Sequence, residues 1–198
     1  MGAALAGSNP SERGLLEIAQ QANRGFAATV RRVREYADAA RREAVGSVYL
    51  SALAVEAIAA TESARGDLVA AAGGVIRLES DLPPGLWVAV PPGEMLWAVF
   101  NLIVNAAEAL PEGDTIRVAS GARGTDNWLS VTDDGIGMDA ALRERIFEHF
   151  FTTGGPDREG LNLNSARTLV VALGGRLTVT SAPGQGTSFI IVLPAAPA

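Results

Sequence analysis

Asn101, Asn105 and Glu108 recur at i, i+4 and i+7 in the run Asn101-Leu-Ile-Val-Asn105-Ala-Ala-Glu108. On a helix they share one face, and the rest of the run is apolar. Two carboxamides on a half-buried face need partners, because burying an unpaired amide costs a few kcal/mol. A carboxamide oxygen is a hard ligand suited to Mg²⁺, which takes few protein oxygens and fills its other positions with water and phosphate. The same spacing suits asparagines that cap a neighbouring loop, and the helix alone leaves both readings open. A second cluster lies in Trp128-Leu-Ser-Val-Thr-Asp133-Asp134-Gly135-Ile-Gly137-Met138-Asp139. On a strand Leu129, Val131 and Asp133 fall on one side, so Asp133 prolongs an apolar face. A carboxylate there needs hydrogen-bond donors to offset its desolvation. The exocyclic amine of adenine, with a bridging water, would supply them, and Gly135 and Gly137 would let the backbone approach a flat ring closely. A strand that ends in an ordinary Asp-Gly turn is the plainer alternative; the buried side of Asp133 favours the ligand role.

These clusters need a helix and a strand held against a common core. Gly93 to Leu110 reads as a strongly apolar helix, and Trp128 to Asp133 as a strand. Around them, Tyr49 to about Ala72 reads as a helix that Gly73-Gly74 ends. Val75 to Ser80 and Thr115 to Ala119 read as strands, and Leu82-Pro-Pro-Gly turns the chain. Leu161 to Leu173 reads as a helix closed by Gly174-Gly175, a left-handed cap. A hairpin from Arg176 to Leu193 turns at Ala-Pro-Gly-Gln-Gly. Helices and strands interleave while the last elements are hairpin strands, which predicts an α/β fold, a two-layer sandwich with a mixed sheet. Ahead of it, Glu12 to about Glu43 contains no proline and repeats apolar or small residues at Leu15, Ala19, Ala22, Phe26, Thr29, Val33, Tyr36 and Ala40. That is a heptad seam, which a lone helix cannot bury against itself; a helix lying on the domain's own sheet is the plainer alternative, and the narrow stripe with its arginine-rich opposite face favours a bundle. The expected organisation is therefore a bundle helix over 12–44 and a domain over 48–194, with a homodimer formed through the helix.

Composition narrows the class. The chain has 198 residues, 48% hydrophobic and 19% charged, a globular balance. It has no cysteine, which excludes disulfides and thiolate metal sites and fits a reducing compartment. No apolar run reaches membrane-spanning length and the N-terminus lacks the features of a signal peptide, so the chain reads as soluble and cytoplasmic. The net charge is −6 and every basic residue is arginine. The one basic cluster, Arg31 to Arg42, alternates with acids, so no nucleic-acid surface is expected.

Taken in order, NLIVNAAEAL, VTDDGIGM, IFEHFFTT, a glycine-flanked helix and GGRLTVTSAPGQGTSF resemble the catalytic domain of sensor histidine kinases. That domain belongs to an ATPase superfamily shared with gyrase, mismatch-repair and heat-shock chaperone proteins. The resemblance covers about residues 48 to 194. It implies that Asn105 ligands a Mg²⁺ bridging the phosphates of ATP, with Asn101 beside it. It implies that Asp133 binds the adenine amine, that Gly135, Gly137 and Met138 shape the pocket, and that Thr187 backs the ring. Phe147, Phe150 and Phe151 would hinge a lid, and Arg158, Gly160 and Leu161 would lie along the phosphates. The leading segment is similar to the second helix of the kinase dimerisation bundle, without the helix that carries the phosphorylated histidine. A response regulator receiver domain is the implied protein partner.

The chain departs from the family pattern at several positions. The usual glycine-rich GTGLGL run, whose amides cradle phosphate, is here Arg158-Glu159-Gly160-Leu161-Asn162-Leu163. Gly154 replaces a common lysine, and Arg158 could supply the missing cation. His149, the only histidine, stands where proline is usual and suits lid packing better than a phosphoacceptor role. Asn101 stands where the hydrolysing relatives carry a glutamate that activates water, and an amide cannot accept that proton. The expectation is a phosphotransfer domain with no catalytic side chain of its own. The alternative is a degenerate pseudokinase scaffold that binds nucleotide weakly or not at all.

Overall fold

The computed structural model describes residues 45–63, 76–110, 115–148 and 163–198. In chain order the elements are β1 (Gly46–Tyr49), α1 (Leu50–Ser63), β2 (Arg77–Asp81), β3 (Trp87–Val90), α2 (Pro92–Glu108), β4 (Thr115–Arg123), β5 (Asp126–Asp133), α3 (Ala140–Arg145), α4 (Leu163–Ala172), β6 (Arg176–Ser181) and β7 (Thr187–Pro194). The expected leading helix, the lid phenylalanines Phe150 and Phe151, and Arg158, Gly160 and Leu161 fall outside the described residues.

Five strands form one sheet in the order β2-β4-β5-β7-β6. The edge strand β2 runs parallel to β4, and the remaining pairs are antiparallel, so the sheet is mixed. Strand alternation drives the layering. On β5, Asn127, Leu129, Val131 and Asp133 are buried while the residues between them are part-exposed. Phe189, Ile191 and Leu193 of β7 and Leu177 of β6 continue the same buried face. The helices α1, α2 and α4 contribute to one hydrophobic core with this face. The two-layer sandwich is as the sequence predicts.

Helix α2 is apolar nearly all round, as a helix must be when neighbours cover it on most sides. It opens on Pro91-Pro92, where a missing N–H is harmless at a helix start. Met95, Val99, Phe100, Leu102, Ile103 and Val104 have no measurable exposure, so the Asn101 and Asn105 face is held in place by the bulk of the core. Gly174 has φ +76° after α4, the left-handed cap expected there.

Three features differ from the sequence reading. The segment from Tyr49 onwards is helical only from Leu50, because Gly46–Tyr49 pairs antiparallel with Trp87–Val90 as a separate two-stranded ribbon. Such a ribbon is marginal alone. It is held by the Tyr49 and Trp87 rings, 5.3 Å apart, by a bridge between Val88 and Ala195, and by Ala196 N–H donating to Trp87 O at 2.8 Å. Second, β4 and β5 are longer than expected and meet in a tight turn at Gly124, because Trp128 covers Gly121 and keeps a glycine-bearing stretch in the sheet. Third, Ile76 precedes the strand expected over Val75 to Ser80, which runs Arg77–Asp81, and Val75 lies outside the described residues.

Candidate functional site

The floor of the site is one row of the sheet. Register places Ile116, Asp133, Thr187 and Ser181 side by side on the core face of β4, β5, β7 and β6. The next rows are Val118, Val131, Phe189 and Val179, then Ser120, Leu129, Ile191 and Leu177. The core face thus carries its buried carboxylate, with Thr187 and Ser181 beside it, in the row at the C-terminal end of β5.

Asp133 is only 3% exposed. Gly135 N–H and Thr187 N–H both donate to its Oδ1, at 3.0 and 3.2 Å. Burial pushes its pKa up, and the neighbouring Asp134 pushes the same way, while the two backbone amides pull it down. Among the described residues, Oδ2 accepts no bond from another residue, so it is the oxygen left to meet a ligand's donor.

Backbone contacts lock three segments around this carboxylate. Ile136 N–H donates to Ala109 O just beyond α2, at 3.0 Å. Gly184 N–H donates to Ile136 O at 2.7 Å and Gly186 N–H to Gly135 O at 3.0 Å. These approaches explain both glycines that the sequence singled out. A Cβ on Gly135 would lie 2.2 Å from Ala109 O, and one on Gly137, whose φ is +63°, would lie 2.0 Å from Ala182 O. The glycine requirement thus comes from the protein's own backbone, whatever ring the loop meets. The loop ends at Asp139, which caps α3 by accepting from Leu142 N–H at 2.7 Å.

Ser181 was not among the expected site residues, yet it is the hub of this junction. Its Oγ accepts from Met138 N–H at 2.8 Å, donates to Gly186 O at 2.9 Å and lies 3.0 Å from Thr187 Oγ1. Arg143 donates to its carbonyl at 3.0 Å. The expected hairpin was the available signal, since pairing β6 with β7 around its turn places Ser181 opposite Thr187.

On the helix side, Asn101 is 1% exposed, and neither its Oδ1 nor its Nδ2 has a partner; Asn105 Nδ2 is also buried without one. Asn105 precedes Ala109 by four residues, about 6 Å along the axis, and Ala109 O is tied to the Gly135 loop. The structure therefore joins the two clusters through the end of α2. The three atoms named make no loop-capping bond to any described residue. Among the described residues no group of three His, Cys, Asp or Glu could hold a metal. A cation here would need amide oxygen supplemented by phosphate and water, the donor set that suits Mg²⁺. Phe147, expected at the lid hinge, accepts from Asn164 Nδ2 at 2.6 Å, and the Arg167 guanidinium lies 5.0 Å from its ring centre.

Sequence comparison gives this arrangement a family. The profile of the family described as histidine kinase-, DNA gyrase B- and HSP90-like ATPase matches residues 93–197, more than half of the chain. The chain belongs to this family. The sensor-like histidine kinase SenX3 of Mycobacterium tuberculosis is 33% identical over 135 residues, covering 64% of this chain and 32% of the relative. The sensor histidine kinase AruS of Pseudomonas aeruginosa is 43% identical over 99 residues, covering 45% of this chain and 10% of the relative. The chain thus spans about a third of the SenX3 length. Among solved structures, the mycobacterial sensor histidine kinase MprB superposes with a TM-score of 0.65 at 26% identity, covering 78% of this chain and 99% of that one. Full-length ShkA, solved in complex with AMPPNP, superposes with a TM-score of 0.62 at 26% identity, over 78% of this chain and 32% of that one. The chain is a catalytic ATPase-type domain of the protein histidine kinase kind.

Proposed function

We propose that this domain binds Mg-ATP and delivers the γ-phosphoryl group to a histidine carried on another segment, as part of a two-component sensor kinase signalling to a response regulator receiver domain. The observation that carries the reading is the pairing of a buried, acceptor-rich row with unpartnered amides. Asp133 and Thr187 offer acceptors where the exocyclic amine of adenine would sit. The amide of Asn101 and the Nδ2 of the half-buried Asn105 lack the bonds that a ligand could supply. Asn105 would be the protein ligand of Mg²⁺, whose contribution when bound is to neutralise charge on the phosphates. Gly135, Gly137 and Met138 would shape the purine pocket, and Arg158, Gly160 and Leu161 would follow the phosphates.

The domain's own part in the chemistry is positioning. The attacking imidazole nitrogen forms a bond to the γ-phosphorus as the bond to the β-phosphate oxygen breaks. ADP leaves with that electron pair and the imidazole proton passes to solvent. No side chain here is required as nucleophile or base, and Asn101 cannot activate water. This favours transfer over hydrolysis. The absence of cysteine and of any described helix long and apolar enough to cross a membrane accords with work in the cytoplasm.

Calorimetric titration with ATP, with and without Mg²⁺, tests the reading. Micromolar, magnesium-sensitive binding is expected, and Asp133→Asn should abolish it while circular dichroism stays unchanged. A folded chain that gives no heat would leave the scaffold alternative standing instead, and unchanged affinity in Asp133→Asn would remove the adenine assignment.

A further inference from the structure

Ser181 lies outside the assigned nucleotide contacts, and its hydrogen bonds can be given directions. A serine hydroxyl carries one hydrogen and can accept twice. Met138 N–H can only donate to it and Gly186 O can only accept from it. With its single hydrogen on Gly186 O, the 3.0 Å contact with Thr187 Oγ1 has to run from Thr187 to Ser181. The Thr187 hydroxyl hydrogen is then committed, and towards any other group Oγ1 can only accept.

We propose that Ser181 is a positioning residue that sets purine selectivity, by holding Thr187 as an acceptor beside the Asp133 carboxylate. This rests on the nucleotide reading above. Asp133, adjacent to Thr187 in the same row and bonded to its amide, is acceptor-only when ionised. A row offering only acceptors accommodates a purine with an amine at C6 and repels one with a carbonyl there. The discrimination is built by a side chain that touches neither purine, because a buried acceptor facing another acceptor leaves both unpaired. Arg143, on the Ser181 carbonyl, braces the same strand end.

ADP and inosine diphosphate test this, since their phosphates and sugar are identical and C6 carries an amine in one and a carbonyl in the other. The wild-type chain should prefer ADP. In Ser181→Ala the Thr187 hydroxyl can turn and donate to the carbonyl, so the ADP-to-IDP affinity ratio should fall by about tenfold. Loss of stability alone would weaken both ligands alike and leave the ratio unmoved. Adding Ser181→Ala to a Thr187→Val background should change the ratio no further, because the hydroxyl it acts through is gone. Ser181→Cys, close in size with a weak acceptor, should lie between and serves if the alanine variant does not fold. A folded Ser181 variant with the wild-type ratio overturns the inference and leaves the nucleotide reading intact. A wild-type chain that binds neither diphosphate overturns both.

Discussion

At the scale of single residues, the site is a set of groups that weaken the fold they sit in. Burial raises the Asp133 pKa, so the native state holds its proton more tightly than the unfolded chain does. Stability then falls as pH rises from the ordinary carboxylate range, about 4, through the raised native value; below that range both states are protonated and the penalty vanishes. Asp133→Asn keeps the shape and an acceptor for the two amides. It should melt higher than wild type at pH 7, with the difference shrinking towards zero as pH drops below about 4. A difference independent of pH in thermal melts would show that burial of the charge is not its source. Asn101 follows the same logic without titration. Its amide is buried and unpaired, so Asn101→Leu should stabilise by ~1 kcal/mol, raising Tm by about 2–4 °C, and weaken magnesium-dependent nucleotide binding. A lower Tm would mean that a partner satisfies this amide in solution. Stability given up at a binding site is the usual trade-off.

At the scale of elements, the site depends on how closely three loops approach. Gly137 and Gly184 share a left-handed backbone, with φ +63° and +70°, but differ in surroundings. A Cβ at Gly137 would lie 2.0 Å from Ala182 O, whereas one at Gly184 has nothing within 4 Å. Gly184→Ala should therefore cost only the left-handed penalty, about 1–2 kcal/mol. Gly137→Ala adds a backbone clash and should cost at least ~2 kcal/mol more. Equal losses in denaturant unfolding would mean that the loop yields at no cost and is not a rigid wall of the pocket. The sequence showed the glycines but not their reason, since the carbonyl that Gly135 must clear belongs to Ala109, and a close approach between distant segments leaves no local signature.

At the scale of the whole molecule, the described elements run from Gly46 to Pro194, and a domain over 48–194 is the sequence's own reading. The seam over residues 12–44 remains a reading of the sequence, and its consequence is oligomeric. Deleting residues 1–44 should convert a dimer to a monomer in light scattering without loss of the sheet's circular dichroism signal. An unchanged mass would place the dimer contact elsewhere. The ribbon escaped notice because its strands are short, far apart in sequence, and secured by residues 195–197.

The sequence by itself determined the layers and the chemistry-bearing types. Period-two alternation in β5 placed Asp133 on the buried face, and helical spacing placed Asn101 and Asn105 together, because both periodicities are set by local backbone geometry. Only the tertiary structure decided which residues stand beside them. Strand register lined up Asp133, Thr187 and Ser181 from three strands, and the carbonyl of Ala109 tied the asparagine helix to the glycine loop. Those neighbours are fixed by pairing and close packing between distant segments, and such contacts are energetic facts of the folded chain that no local run of residues carries.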